Sequence, residues 1–160
     1  MIRHFTVSAF VSTTEATLLH WHAKNQMWLP PGGHVEANED TIQAAHREVL
    51  EETGLTVAIL PTAPPFDYAE PPQLPAPVTI MVEDIAEHPV DGRHQHIDSI
   101  YFTRPQPPEQ PIQEGWAWVS AEALRANTPL SASEGAPAVE IAEDVRVLGL
   151  ASIERAAEPR

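Results

Sequence analysis

The sequence predicts a single α/β domain, and three observations support this fold class. The chain has 160 residues, 42% of them hydrophobic, which is enough to form one domain with a substantial core. Runs rich in β-branched and aromatic residues alternate with turn-forming residues, a pattern typical of strands. Two stretches, residues 40–54 and 138–157, instead carry apolar residues at the spacing of a helix. We therefore expect residues 1–160 to form one domain that combines strands with helices.

Six stretches are predicted to form strands, namely residues 4–12, 16–22, 57–60, 78–85, 97–103 and 116–119. A three-residue turn joins the first two strands, so we expect them to form a hairpin. The fourth and fifth strands flank an Asp-Gly turn signal and should form another hairpin. Between the third and fourth strands, residues 61–77 are rich in proline and irregular, and long loops of this kind often cover binding sites.

The helix predicted at residues 40–54 has clear start and stop signals. Asp40 or Asn38 can cap its first turn, and Gly54 can adopt the left-handed conformation that ends a helix. A shorter helix is expected to begin at Ser120. The last predicted helix, residues 138–157, presents an amphipathic face to the core.

Three glutamates share one face of the first helix, because Glu48, Glu51 and Glu52 lie at positions i, i+3 and i+4. Like charges at this spacing repel by roughly a few tenths of a kcal/mol per pair, and the C-terminal half of a helix disfavours anions. For three glutamates alone, an acidic solvated face is the simpler interpretation. A bound cation would offset both costs, and Mg²⁺ and Mn²⁺ are hard ions that prefer carboxylate ligands.

The residues around these glutamates form a longer pattern. It runs from Gly33 through five residues to Glu39, then through seven residues to R-E-V-L-E-E-T-G-L, which ends at Leu55. The segment W-L-P-P-G-G-H leads into it. This stretch resembles the Nudix box at every defined position, and the lead-in is similar to that of a bacterial Nudix subgroup. The resemblance implies an α/β/α sandwich with a mixed β-sheet between helices, which the predicted strands and helices fit.

The resemblance also implies an activity. Nudix hydrolases typically use Mg²⁺ or Mn²⁺ to cleave a diphosphate linkage in a nucleoside diphosphate joined to another group, such as a nucleoside triphosphate or a nucleotide sugar. The positions that match the metal-binding residues are Glu48, Glu51, Glu52 and the carbonyl of Gly33 or Gly32. Arg47 matches the arginine that holds the glutamates in place, and Glu39 matches its acidic partner.

The group that activates water is left open by the sequence. Within the box, Glu52 is the preferred catalytic base and Glu51 is an alternative. Several Nudix enzymes take the base from a loop before the last strand, and Glu114 lies in the comparable loop here, with Glu109 as a weaker candidate.

Candidate substrate contacts lie outside the glutamates of the box, and four are expected to bind the nucleotide derivative: His22, Lys24, His34 and His96. His20, His22 and Lys24 alternate along the second strand and could share one sheet face. The alternation of His94, His96 and Asp98 is compatible with a metal site, although hydrogen bonding on a sheet face is the simpler interpretation.

Composition limits the partners and the chemistry. The formal net charge of −14 would repel nucleic acid and anionic membranes, so the expected partner is a small molecule. The same field would repel a polyphosphate, so a bound metal must neutralise the site locally. There are no cysteines, which excludes disulfides and thiolate catalysis. We expect a cytoplasmic protein because no signal peptide is visible, and a homodimer is one alternative for its assembly.

The resemblance to Nudix proteins is compatible with two other functional classes. A Nudix-fold isomerase acting on isopentenyl diphosphate would be expected to use a reactive cysteine, which this chain lacks. A non-catalytic Nudix-fold sensor that binds a nucleotide commonly has an eroded box, whereas this box is intact. The sequence therefore favours an enzyme, with the sensor as the alternative.

Overall fold

The computed structural model describes residues 1–159, with side chains described at all of these positions except 87 and 88. In this range the chain forms the strands β1 (Ile2–Val11), β2 (Ala16–His22), β3 (Met27–Leu29), β4 (Gly32–His34), β5 (Val57–Ile59), β6 (Thr79–His88), β7 (Gly92–Pro105), β8 (Trp116–Ser120), β9 (Leu130–Ser131) and β10 (Ala138–Val139). The helices are α1 (Thr41–Thr53), α2 (Ala121–Ala126) and α3 (Glu143–Ala157). No helix in residues 1–159 is long and apolar enough to cross a membrane.

The strands form a mixed sheet and a smaller antiparallel sheet. In the five-stranded sheet the order is β4-β1-β7-β5, and β6 also pairs with β7. The β1–β7 pair is parallel, whereas the other pairs in this sheet are antiparallel. The second sheet has the order β3-β2-β8. This architecture confirms the predicted α/β class with a mixed sheet.

The prediction that the first two strands form a hairpin is wrong. The turn forms, because the N–H of Thr13 donates to the carbonyl of Ala16, but only one bridge, between Ser12 and Thr17, continues it. Both hydrogen-bonding edges of β1 are taken by β4 and β7, so β2 joins the other sheet. The second predicted hairpin is confirmed, and β7 begins earlier than expected, at Gly92.

The final helix starts later than predicted. Residues 138–139 pair with β9, and the side chain of Asn127 accepts the N–H of Ile141, so this backbone is already satisfied outside a helix. The helix α3 therefore begins at Glu143 instead of residue 138. The shorter helix is confirmed, since the Ser120 side chain caps it by accepting the N–H of Ala123.

Local sequence accounts for both ends of α1. The Asp40 side chain accepts the N–H groups of Ile42 and Gln43, and the Gln43 side chain accepts the N–H of Asp40 in return. This reciprocal capping box selects Asp40 over Asn38 as the start. Gly54 ends the helix with φ of 76°, a left-handed conformation that costs glycine little.

Helices cover the mixed sheet on both faces. Helix α1 buries Ala45 and Val49 against residues such as Val7 of β1, and this forms one core cluster. On the opposite face, Phe10 and Phe102 pack with residues of α2 and α3 in a second cluster. Because side chains alternate along a strand, the even-numbered residues of β1 lie on the face of Phe10. Towards the start of β1 that face becomes polar, and the candidate site lies there.

Candidate active site

Arg47 organises the acidic residues of the box. Its Nη2 and Nε donate to the two carboxylate oxygens of Glu39 at 2.6 and 3.1 Å, a bidentate pair. Its Nη1 donates to Glu48 Oε1 at 2.7 Å and to Glu51 Oε2 at 3.3 Å. Nη2 also donates to the carbonyl of His34 at 2.9 Å, which ties β4 to the helix. We call Glu39, Arg47, Glu48, Glu51 and Glu52 the box cluster.

The charges of this cluster stabilise one another. Hydrogen bonds to Glu39 and Glu48 raise the pKa of Arg47, so the guanidinium remains charged. The hydrogen bond from Arg47 is also the main reason why the pKa of Glu39 is lowered. Arg47 thus contacts Glu39 on one side and Glu48 and Glu51 on the other, and the role of this pair as a support for metal ligands stays a prediction.

The two glycines of β4 allow close contacts with different neighbours, namely helix α1 at Gly33 and strand β1 at Gly32. A Cβ atom on Gly33 would lie 2.3 Å from Glu48 Oε1, and one on Gly32 would lie 2.2 Å from the carbonyl oxygen of Val7. The N–H of Gly32 donates to Glu52 Oε2 at 3.0 Å. Gly33 therefore makes room for a box carboxylate, whereas Gly32 makes room for the neighbouring strand.

Glu52 is held from its backbone as well as from its carboxylate. Trp116 donates its indole N–H to the carbonyl of Glu52 at 2.8 Å, which satisfies one of the free carbonyls at the end of α1. Burial is the main reason why the pKa of Glu52 is raised. Glu48 and Glu51 add to this increase, and the hydrogen bond from Gly32 opposes it. A cation beside this carboxylate would favour its ionised form.

A cleft of about 250 Å³ borders Glu52. Its walls come from β4, from the polar face of β1, β6 and β7, and from β2. We call it the polar cleft, and its polar side chains are Thr6, Ser8, His20, His22, Asn25, His34, Glu52, Glu83, His96 and Asp98.

Asp98 forms a fixed part of the cleft wall. The hydroxyl groups of Thr6 and Ser8 donate to its two carboxylate oxygens at 2.8 and 2.7 Å, and the residue is 3% exposed. Burial raises the pKa of Asp98, and the two hydroxyl groups partly counter this shift. Sequence reasoning noted Asp98 but missed its partners, although the polar residues alternate with apolar ones along β1.

Glu83 was missed by sequence reasoning. It pairs with His96 in the β6–β7 ladder and lies in the polar cleft, with 42% of its side chain exposed. Partial burial, reinforced by the charges of Asp98 and Asp144, raises the pKa of Glu83 to about 7. A pair of adjacent carboxylates, Glu83 and Asp84, within an otherwise apolar strand segment was the available signal.

The four predicted substrate contacts lie together. His22, Lys24, His34 and His96 all line a second cavity of about 450 Å³, which shares three of these histidines with the polar cleft. Lys24 follows the end of β2, so the prediction that it continues the strand face of His20 and His22 is wrong. Burial is the main cause of a lowered pKa for His34 and for His20.

Glu114 lies in the loop before β8 and is exposed. It is not among the residues that line the polar cleft. Its neighbour Gln113 contacts the carbonyl of Glu51 at 3.4 Å, so this loop does reach the end of α1. A role for Glu114 as catalytic base stays a prediction.

The donor set of the box fits a hard divalent ion. Glu48, Glu51 and Glu52 offer carboxylate oxygens, and the carboxylate of Glu48 lies directly against Gly33. Oxygen ligands of this kind suit Mg²⁺ and Mn²⁺. The assignment of Glu48, Glu51, Glu52 and Gly33 as metal ligands stays a prediction.

Comparisons with known proteins agree with this geometry. A model of the NUDIX domain matches residues 2–139. The crystal structure of a NUDIX-family hydrolase from Clostridium perfringens has 28% sequence identity and a TM-score of 0.74, and the match covers 96% of this chain and 98% of that one. The crystal structure of the C. elegans Ap4A hydrolase is similar in fold, with 20% identity and a TM-score of 0.51 over 76% of this chain and 83% of that one.

A shorter match falls on a curated protein. The m7GpppN-mRNA hydrolase NUDT17 of Danio rerio is 56% identical over 32 residues, which make up 20% of this chain and 11% of that protein. The match of the NUDIX model extends over most of the chain, far beyond the box. The chain therefore belongs to the Nudix hydrolase family.

Proposed function

We propose that this protein hydrolyses a diphosphate linkage in a nucleoside diphosphate joined to another group, with Mg²⁺ or Mn²⁺ as its cofactor. The observation that carries the proposal is the position of the box cluster. Arg47 contacts two of the box carboxylates on α1, and Glu52 borders a polar cleft that also contains three of the predicted substrate contacts, His22, His34 and His96. Support also comes from two similar proteins that are named as hydrolases.

The residues proposed to hold the metal are Glu48, Glu51, Glu52 and the carbonyl of Gly33. When bound there, the ion would neutralise charge on the diphosphate and lower the pKa of a coordinated water. Arg47 orients Glu48 and Glu51, and the N–H of Gly32 orients Glu52.

The remaining roles concern the substrate and the water. Lys24 and the imidazoles of His22, His34 and His96 can donate hydrogen bonds to phosphate oxygens. They lie on the walls of adjoining cavities, so they can orient an anionic substrate toward the box. We propose Glu52 as the base that accepts the proton from water, with Glu51 and Glu114 as the alternatives to be compared.

The decisive experiment measures release of phosphate or nucleotide from a substrate panel, with and without Mg²⁺ and Mn²⁺. The panel spans nucleoside triphosphates, nucleotide sugars including ADP-ribose, dinucleoside polyphosphates and NADH. We expect metal-dependent turnover of one class, and a loss of at least about 100-fold in Glu52→Gln, because even indirect disturbance of a metal ligand costs 10–100-fold.

The matched control is Glu154→Gln, which makes the same chemical change at an exposed position of α3. It should retain full activity. Full activity in Glu52→Gln would show that the metal site is wrongly assigned. Ligand binding without turnover across the panel would instead favour a nucleotide sensor.

A further inference from the structure

Three histidines from three different strands meet at the edge of the polar cleft. His4 of β1 pairs directly with His96 of β7, and His34 of β4 pairs with Thr6, two residues further along β1. One ring nitrogen from each of these residues lies within 4.8 Å of the other two. We call His4, His34 and His96 the histidine cluster.

The nitrogen spacing suits a metal with imidazole ligands. His4 Nδ1 and His34 Nε2 are hydrogen-bonded at 3.2 Å, and two nitrogens bound to one tetrahedral Zn²⁺ would be about 3.3 Å apart for ordinary Zn–N bonds, so an ion could replace the shared proton at nearly the same nitrogen spacing. Two neutral imidazoles can offer lone pairs from these atoms when their other ring nitrogens carry the protons. The ring of His34 meets those of His4 and His96 edge to face, at 60° and 81°, whereas the rings of His4 and His96 are stacked at 29° with centroids 6.1 Å apart.

A fourth histidine, His94, contacts the cluster through His96. His94 is buried, and its Nδ1 lies 3.0 Å from the carbonyl of Gly92, which can only accept a hydrogen bond. The proton is therefore on Nδ1, and the Nε2 of His94 presents a lone pair to His96 Nε2 at 3.2 Å. Metal-binding histidines are commonly oriented by such outer hydrogen bonds. Glu83 Oε2 lies 4.0 Å from His96 Nδ1 and adds a nearby carboxylate that favours a cation.

We propose that His4, His34 and His96 form a binding site for a borderline divalent transition metal, with Zn²⁺ as the best-matched ion. Three imidazoles leave a fourth position open to water or to a ligand oxygen, as in sites where zinc has three protein ligands. This site differs from the box, where carboxylate oxygens favour Mg²⁺ or Mn²⁺. His34 and His96 also line the cleft that Glu52 borders, so the ion would add positive charge beside the proposed substrate path.

The test measures binding of Zn²⁺ and Co²⁺ to the untagged, full-length protein after removal of metal by a chelator. Titration calorimetry gives the affinity and stoichiometry for Zn²⁺, and the visible absorption of Co²⁺ reports the ligand geometry. We expect a site that excess Mg²⁺ does not displace. Substituting any member of the histidine cluster by glutamine should weaken Zn²⁺ binding by at least about tenfold, because a ligand is lost.

Two control variants separate this site from other sources of binding. His46→Gln removes an exposed histidine of α1 outside the cluster and should bind Zn²⁺ as the unaltered protein does. Glu52→Gln impairs the box and should also keep the Zn²⁺ site. Equal Zn²⁺ affinity in His4→Gln, His34→Gln and the unaltered protein would overturn the proposal, as would loss of the site in Glu52→Gln.

A loss of Zn²⁺ binding that results from misfolding can be distinguished from the loss of a ligand. His94→Gln can keep a hydrogen bond to the strand, and as a change in a positioning residue it should weaken Zn²⁺ binding less than the loss of a cluster member. Circular dichroism and thermal unfolding of each metal-free variant verify that it is folded. A folded His96→Gln that binds Zn²⁺ normally would also count against the site, whatever the outcome of the hydrolase assay.

Discussion

The five residues of the box cluster and the three residues of the histidine cluster are brought together in opposite ways. The box cluster comes from one helix and the loop before it, and Arg47 reaches each of Glu39, Glu48 and Glu51. The histidine cluster takes one residue from each of three strands, and the parallel register of β1 and β7 brings His4 to His96. A site whose residues are close in sequence can be inferred from helix geometry, whereas the other requires knowledge of strand pairing.

The two clusters also differ in what compensates their charge. The box cluster contains four carboxylates and one guanidinium, so its geometry depends on a single cation. The histidine cluster contains no carboxylate, and its members His4 and His34 are joined by a hydrogen bond between ring nitrogens. Removing one group should therefore disturb the box cluster more severely than the histidine cluster.

Arg47→Lys is expected to have the largest effect on the box cluster relative to the histidine cluster. A lysine keeps the positive charge but cannot make the bidentate pair with Glu39 while also reaching Glu48 and Glu51. We expect Mn²⁺ affinity and turnover to fall by roughly 10–100-fold, the range for residues that support metal ligands. Mn²⁺ binding followed by electron paramagnetic resonance measures this loss. Zn²⁺ affinity should change little, and an equal loss at both sites would show that the clusters act as one unit.

An intermediate effect is expected from alanine at the two adjacent glycines. In Gly33→Ala the new Cβ meets the flexible carboxylate of Glu48, so the protein should remain stable while Mn²⁺ binding weakens by about tenfold. In Gly32→Ala the new Cβ meets the backbone of Val7. The free energy of unfolding should therefore fall by about 1–3 kcal/mol, as in overpacked cores.

The glycine pair is its own control, because the same methyl group is added one residue apart. Thermal or denaturant unfolding measures stability, and Mn²⁺ titration measures the site. We assign Gly33 to the metal site and Gly32 to the stability of the fold. A Gly33→Ala variant that is less stable than Gly32→Ala would contradict this assignment.

The smallest effect is expected from Trp116→Phe. The substitution keeps an aromatic ring but removes the hydrogen bond to the carbonyl of Glu52, which costs about 0.5–1.5 kcal/mol of stability. We expect a modest fall in kcat with little change in KM, since the carboxylate loses part of its backbone support. Denaturant unfolding and steady-state kinetics measure the two effects. The exposed Trp118, substituted in the same way, is the control and should give neither change.

Prediction from sequence succeeded best where neighbouring residues decide the structure. The helix start at one of the two candidate caps, Asp40, and the left-handed Gly54 follow from local sequence, as does the shared face of the glutamates. It failed where a distant strand competes for the same backbone groups. The edges of β1 were taken by β4 and β7, and the pairing of β10 with β9 delayed the start of α3.

The sequence by itself determined the box helix, its caps and the acidic residues that match a metal site, because these depend on spacing within about four helical turns. Only the tertiary structure decided that Asp98 is held by Thr6 and Ser8, that Glu83 faces His96, and that Trp116 supports Glu52. Such contacts depend on the register of strands far apart in the chain. A shift of one residue would turn every side chain of a strand to the other face of the sheet.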